Sequence, residues 1–201
     1  MSRFPDLEQP LRGTVAEVRL AAERDIPEVL IAHQDDAELH VRLGMRRPPS
    51  ASELGSRVEG SAIERRSGSG VWLTIVSPDV APPDRCSGQL DVIAVDWDHG
   101  RAELAVWVVP QQRGRGLASG ALALVGRWLL SECGLSRVAL AAPPDQEAIL
   151  RAASRAGYER EGVLRSYVAR RGGRLDLVVM SMVAGDLPAT AASPAGARQT
   201  G

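Results

Sequence analysis

Arg113-Gly114-Arg115-Gly116 follows a run of β-branched and aromatic residues, Val106-Trp107-Val108-Val109, and precedes Leu117-Ala118-Ser119, where a helical pattern begins. A strand, a glycine-containing loop and a helix start, in that order, make an anion site. The first backbone N–H groups of a helix have no internal acceptor and glycine lets the chain approach a ligand closely, so a phosphate or pyrophosphate collects several hydrogen bonds there. The two arginines add positive charge. Taken in isolation, R-G-R-G reads more simply as a glycine turn with two solvated arginines. Two common phosphate loops are excluded by inspection: a Walker A loop needs Lys followed by Ser or Thr, and a dinucleotide fingerprint needs G-x-G-x-x-G after the first strand. All 24 basic residues are arginine, which also removes a Schiff-base lysine.

The elements that must position this loop are readable from periodicity. Val15 to Leu20 alternates apolar and charged residues as a half-buried strand does. Asp25-Ile26-Pro27-Glu28 reads as a capping box opening a short helix to about Gln34, and Ser50-Ala51-Ser52-Glu53 opens a second, with Leu54, Val58 and Ala62 at helical spacing, ending near Ser67-Gly68-Ser69-Gly70. Strands follow at 71–77, 88–95 and 102–109, the last two joined at Asp98-His99-Gly100. Leu117, Ala121, Leu124, Val125 and Trp128 share one helical face, and Gly134 closes that helix. A strand at 137–142 and a helix opened by Asp145 and stopped by Gly157 come next. Two final strands, 162–170 and 175–183, flank a hairpin at Arg171-Gly172-Gly173-Arg174. The order β-α-α-β-β-β-α-β-α-β-β predicts an α/β (α+β) fold, a mixed sheet flanked by helices. Pro188 to Gly201 has no apolar period, so a single domain over 1–187 with a disordered tail over 188–201 is expected.

With 201 residues, 44% of them hydrophobic and 24% charged, the chain has the composition of a folded globular domain. Its net charge of −1 lacks the basic footprint of most nucleic-acid binders. No uncharged run approaches the ~18 apolar residues of a membrane span, and the N-terminus carries no apolar signal region. Cys86 and Cys133 are far apart and the histidines scattered, so neither a disulfide framework nor a metal-ligand spacing is read. A cytoplasmic protein without nucleic-acid or membrane partners and without a metal is expected.

The loop resembles the acetyl-CoA-binding signature of the GCN5-related N-acetyltransferases (GNAT), (Q/R)-x-x-G-x-(G/A), matched by Arg113, Gly116 and Ala118. Ala156-Gly157-Tyr158 with Glu161-Gly162-Val163-Leu164-Arg165, and the run Leu175 to Met182, are similar to segments of the ribosomal-protein N-acetyltransferase branch, so the resemblance spans about Val15 to Val183. It implies a mostly antiparallel sheet and the co-substrate acetyl-CoA. It also implies that the backbone of Val106, Trp107 and Val108 pairs with the pantetheine arm and aims one N–H at the thioester carbonyl. The loop residues Arg113, Gly114, Arg115, Gly116, Leu117, Ala118 and Ser119 would hold the pyrophosphate. Gln146 stands where relatives often carry an Asn that contacts the cofactor.

By the same resemblance the acetyl group passes directly to a primary amine, a protein N-terminus or a small molecule, so no nucleophilic Ser or Cys is required. The substrate ammonium must lose a proton first. Glu103, on the strand face of Ala105 and Trp107, resembles a glutamate found there in related enzymes, and reads equally as a strand carboxylate pairing with an arginine. The tyrosine that many relatives use as an acid toward the leaving thiolate aligns with Ala153, which leaves Tyr158 and Tyr167 as donors from elsewhere or as packing residues. The resemblance also suggests a homodimer. The alternative from another class is a non-catalytic acyl-CoA-binding regulatory module that kept the loop and lost the acid–base groups.

The remaining polar residues read plainly. His33, His40 and His99 are assigned no role. Asp35 and Asp36 read as a solvated acidic face, or as the wall of an acceptor groove that draws in a cationic amine. Among the four tryptophans Trp97, in a turn, is the candidate for a substrate contact, and Cys133 reads as a small packed residue.

Overall fold

Strand-forming residues gather in one eight-stranded sheet of the computed structural model, which describes residues 4–5, 7–170 and 172–187. The strands are β1 (Leu11–Arg12), β2 (Glu17–Leu20), β3 (Val71–Val76), β4 (Cys86–Asp96), β5 (Arg101–Val108), β6 (Arg137–Ala142), β7 (Glu159–Arg170) and β8 (Gly173–Val183). Their spatial order is β1-β2-β3-β4-β5-β6-β8-β7, and every neighbouring pair is antiparallel except β5 and β6. A parallel pair needs a crossover, and α4 (Leu117–Ser131) supplies it between β5 and β6. The other helices are α1 (Ile26–Asp35), α2 (Leu39–Arg42), α3 (Ala51–Ser67) and α5 (Glu147–Arg155). The expected order holds with two additions, β1 and α2, which at two and four residues are too short to show a period. The expected disordered tail, 188–201, lies outside the described residues.

Alternation along the strands divides the sheet into two faces. Val71, Leu73, Leu90, Val92, Ala102 and Leu104 turn to α4, where Leu122, Val125, Trp128 and Leu129 are at most 2% exposed. A stack of Phe4 on Trp128 and an edge contact of Phe4 with Trp97 close that core from the N-terminal segment. The opposite face carries Trp72 on β3, beneath α1 and α3, where it packs with Val29, Leu54 and Cys86 in a smaller cluster.

The helix starts separate by chemistry. At α3 the capping box forms as expected: the Glu53 N–H donates to Ser50 Oγ at 3.3 Å and the Ser50 N–H to Glu53 Oε2 at 2.8 Å. At α1 it does not. Asp25 is only 2% exposed and makes no side-chain cap. Its carboxylate instead accepts from Arg19 at 2.6 and 2.9 Å, from Thr74 Oγ1 at 2.7 Å and from the Ala22 N–H at 3.0 Å. A buried arginine outbids a solvated helix end for this carboxylate because both charges would otherwise be desolvated alone. Burial pulls the Asp25 pKa upward, yet these hydrogen bonds together hold it below the usual carboxylate value.

Candidate active site

The parallel pairing of β5 with β6 covers only Arg101↔Arg137, Ala102↔Val138 and Glu103↔Ala139. From Leu104 onward β5 stays paired to β4, while β6 continues along β8 through Leu140↔Met180 to Ala142↔Val178. The two strands therefore part, and a cleft of about 780 Å³ opens between them. Which backbone groups face it follows from two bonds. The Val109 N–H donates to Ser87 O on the β4 side, whereas Arg113 Nε donates at 3.1 Å to Val108 O. Since N–H and C=O of one strand residue point the same way and alternate along the strand, Leu104, Val106 and Val108 present theirs to the gap. Trp107 spends its backbone on β4, opposite Gln89. Val106 is thus the central residue of a free strand edge, with Val108 O occupied by Arg113.

The glycine loop forms the end of the cleft. Gly114 and Gly116 adopt φ of +77° and +82°, conformations in which a side chain would be strained, and Gly116 is the residue from which α4 starts. The N–H groups of Leu117, Ala118 and Ser119 have no intrahelical acceptor by helix geometry. Ten of the eleven residues the sequence assigned to the cofactor line this cleft: Val106, Trp107, Val108, Arg113, Gly114, Gly116, Leu117, Ala118, Ser119 and Gln146. Arg115 is exposed and outside the lining. Arg113 is in it but committed sideways, because its guanidinium also binds the Asp36 carboxylate, which in turn holds Arg42 of α2. Burial raises the Asp36 pKa, but bonds to Arg42 and Arg113 outweigh it and keep the group a carboxylate. Asp35 likewise accepts from Gln111 Nε2 at 2.5 Å. Both aspartates are tied to the loop after β5, Asp36 half-buried between two arginines and Asp35 still exposed to solvent.

Glu103 stands on the same strand face as Ala105 and Trp107, exposed and outside the cleft lining. It lies where β5 and β6 are still paired. On α5, Ala153 is fully buried in the core while its neighbour Ala152 lines the cleft, so neither position offers a hydroxyl. Tyr158 is a core residue, 2% exposed, whose hydroxyl donates to Leu122 O at 3.3 Å and whose pKa burial pushes up. Tyr167 is 59% exposed on β7. Trp97 donates its Nε1–H to Gly68 O at 2.7 Å and packs on Phe4, so it braces the turn after β4 and is no part of the cleft. Burial pushes the thiols of Cys86 and Cys133 up to about 12, which leaves both inert as nucleophiles.

Two side chains that the sequence left without a role lie on the Trp107 face of the sheet, outside the cleft lining. His33, 6% exposed on α1, packs its ring 6.2 Å from that of Trp107. Burial, with a smaller contribution from His40, holds its pKa below the usual histidine value against the opposing pull of Asp36. Asp91, directly opposite Ala105 on β4, receives Arg57 of α3 at 2.5 Å, and that guanidinium lies 4.2 Å above the Trp72 ring. Burial raises the Asp91 pKa and Arg57 only partly offsets it.

A sheet opened between its parallel strands beside a glycine loop and a helix N-terminus defines a class. The chain belongs to the acetyltransferase (GNAT) domain family, whose pattern it matches over residues 17–159. Among curated proteins it is similar to the uncharacterized N-acetyltransferase YoaA of Bacillus subtilis, 33% identical over 96 residues, 48% of this chain and 54% of that protein. The match thus spans about half the length of that relative. Solved structures share the fold. An acetyltransferase of Salmonella typhimurium, described as modifying the N-terminal serine of ribosomal protein L7/L12, superposes with a TM-score of 0.73 at 18% identity, covering 87% of this chain and 99% of that one. RimJ of Mycobacterium smegmatis, solved with a CoA disulfide, gives 0.74 at 24% identity over 93% and 91%. Among the described residues no helix is long and apolar enough to cross a membrane, and no cluster of metal-ligating side chains occurs.

Proposed function

We propose that this chain transfers the acetyl group of acetyl-CoA directly to a primary amine, with residues 1–187 acting as one acetyltransferase domain. The observation that carries the reading is the parting of β5 from β6, which joins a free strand edge, two left-handed glycines and the first turn of α4 in a single cleft. A pantetheine arm is a chain of amides that such an edge pairs with, and a pyrophosphate suits the loop. When bound, acetyl-CoA supplies an activated acetyl thioester.

The chain's own residues divide the work. Val106 directs its N–H at the thioester carbonyl, where negative charge develops as the amine attacks, and Val108 continues the edge. Trp107 contributes its ring as the wall on the α1 side. Gly114, Gly116, Leu117, Ala118 and Ser119 hold the pyrophosphate through backbone N–H groups, Arg113 and Arg115 add positive field, and the Gln146 amide contacts the cofactor from the start of α5. Glu103 lies three residues, roughly 10 Å, along the strand from Val106. At that distance it serves as a proton sink reached through water.

The named activity of YoaA and of the structural neighbours supports this reading. Two unpaired thiols support a reducing compartment, the cytoplasm. Exposed Val163, Leu164, Tyr167 and Val168 on the edge strand β7 support a homodimer through that edge. Mass spectrometry of a mixed amine and peptide library incubated with the protein and acetyl-CoA tests activity and acceptor together. Acetylated amines are expected; tight acetyl-CoA binding with no product would favour the non-catalytic acyl-CoA-binding module instead.

A further inference from the structure

Among the described residues four arginines line the cleft: Arg42, Arg113, Arg151 and Arg155. Three are already committed. Arg42 and Arg113 share the Asp36 carboxylate, and Arg151 is paired at 2.6 Å with Glu147, one turn back on α5. Arg155, in the last turn of the same helix, is exposed and makes neither an ion pair nor a side-chain hydrogen bond. A cation at a helix end has a plain explanation, since the last carbonyls of the helix attract it. That explanation accounts for the charge and not for its direction.

Direction follows from spacing and packing. Ala148, Arg151, Ala152 and Arg155 stand at i, i+3, i+4 and i+7, so one face of α5 looks into the cleft along its length and Arg155 is the far end of that face. The near end is acidic, with Asp145 and Glu147 on either side of Gln146, so the free positive charge lies away from the start of the helix. The far end also lies against α4. Tyr158, three residues after Arg155, donates to Leu122 O, and a Cβ on Gly126 would meet its hydroxyl at 2.6 Å. Leu122 is three residues, about 4.5 Å, along α4 from Ser119, whose N–H closes the loop site. Arg155 therefore stands beside the early turns of α4, in the same cleft as the glycine loop.

We propose that Arg155 binds the 3′-phosphate of acetyl-CoA and so selects a free CoA thioester as the donor. The inference rests on the acetyl-CoA reading of the cleft and adds a subsite that the loop does not supply. The ligand sets the requirement. The ribose that carries the pyrophosphate on its 5′ carbon carries a further phosphate on its 3′ carbon, so a pyrophosphate seated on Gly114–Ser119 brings a second anion within a few bonds. The backbone N–H groups of the loop are taken by the pyrophosphate, and Arg113 is held by Asp36. Among the described lining residues, Arg155 is the cation left. Its guanidinium offers a phosphate two parallel N–H donors and stays charged at any working pH. A thioester on a bare phosphopantetheine arm, such as a carrier protein bears, lacks this phosphate and gains nothing from Arg155.

The test is calorimetry on the full-length protein with CoA and with 3′-dephospho-CoA, which differ only in that phosphate. The wild type is expected to bind CoA at least about fivefold more tightly. Arg155→Gln, at an exposed position outside the core, is expected to bring CoA down to the dephospho-CoA level and to leave dephospho-CoA affinity unchanged. Arg155→Lys keeps the charge and should retain part of the preference. Arg151→Gln removes a charge that Glu147 already neutralises and should keep the full preference. A merely structural Arg155 would move both ligands alike. A wild-type preference below about fivefold overturns the proposal, as does one that survives Arg155→Gln or disappears with Arg151→Gln. Equal binding of the two ligands leaves the acetyl-CoA reading standing and removes only this subsite, whereas failure of both to bind overturns the two together.

Discussion

The two faces of β5 are built on different terms. Beneath α4, Leu104 and Ala102 pack among Leu122, Val125, Trp128 and Leu129, and the described polar side chains buried in the protein leave no orphan there. Beneath α1 and α3, Trp107 is surrounded by a histidine, a glutamine and a tryptophan with unpaired polar atoms, and nearby sit a buried ion pair at Arg19–Asp25 and a partly exposed one at Arg57–Asp91. A face that served only stability would resemble the first. The contrast teaches that the sheet is held together from one side and kept receptive on the other, with Val106 presenting its backbone at the boundary between them.

Breaking the anchor of the polar face should have the largest effect. Asp25→Ala leaves Arg19, 8% exposed, without its main partner, and should cost about 3–5 kcal/mol in denaturant unfolding. The sign with pH follows from the depressed carboxylate: the wild type's advantage is full above the unfolded value of about 3.9 and is lost as pH falls through the lower folded one. An advantage that grows on acidification would contradict the assigned network. Gly116→Asp should weaken acetyl-CoA binding more than about a hundredfold, roughly 2.7 kcal/mol, by placing negative charge in an anion loop. The strain at φ +82° costs only about 1–2 kcal/mol, so circular dichroism should report an intact fold.

Smaller changes sharpen the comparison. Glu103→Gln should lower turnover by about three- to tenfold, because a water-reached proton sink is partly replaceable. A loss of about a hundredfold or more would make this carboxylate the direct base. Gln89→Met removes an unpaired amide beside Trp107, so it should stabilise the free protein by up to about 1 kcal/mol while reducing transfer. A thermal scan paired with a rate measurement checks both halves. Destabilisation would mean that the amide has a partner and that the polar face is not held open.

Local signals were legible in the sequence and long-range registers were not. The glycine loop, the start of α4 and the Ser50–Glu53 cap depend on residues within six positions of one another. The parting of β5 and β6 depends on β6 remaining with β8, some 40 positions later, and no period in either strand encodes it. Asp25 departs from its local pattern for a related reason: its spacing fits a cap, but Arg19 and Thr74 become its partners only once β2 and β3 pair. The commitment of Arg113 to Asp36 is likewise a contact between distant segments. His33 did carry a usable signal. Ile26, Val29, Leu30 and His33 follow the i, i+3, i+4, i+7 pattern, which places the imidazole on the packed face of α1 rather than in solvent.

The division of labour between the faces is tested most directly by hydrogen–deuterium exchange of the full-length protein with and without acetyl-CoA. Protection is expected in the peptides that contain Leu104–Val108, Gly114–Ser119 and the start of α5 at Gln146, while α3, which covers the polar face, exchanges unchanged. Protection concentrated in α3 and β3, with the Gly114–Ser119 loop unaffected, would contradict the account.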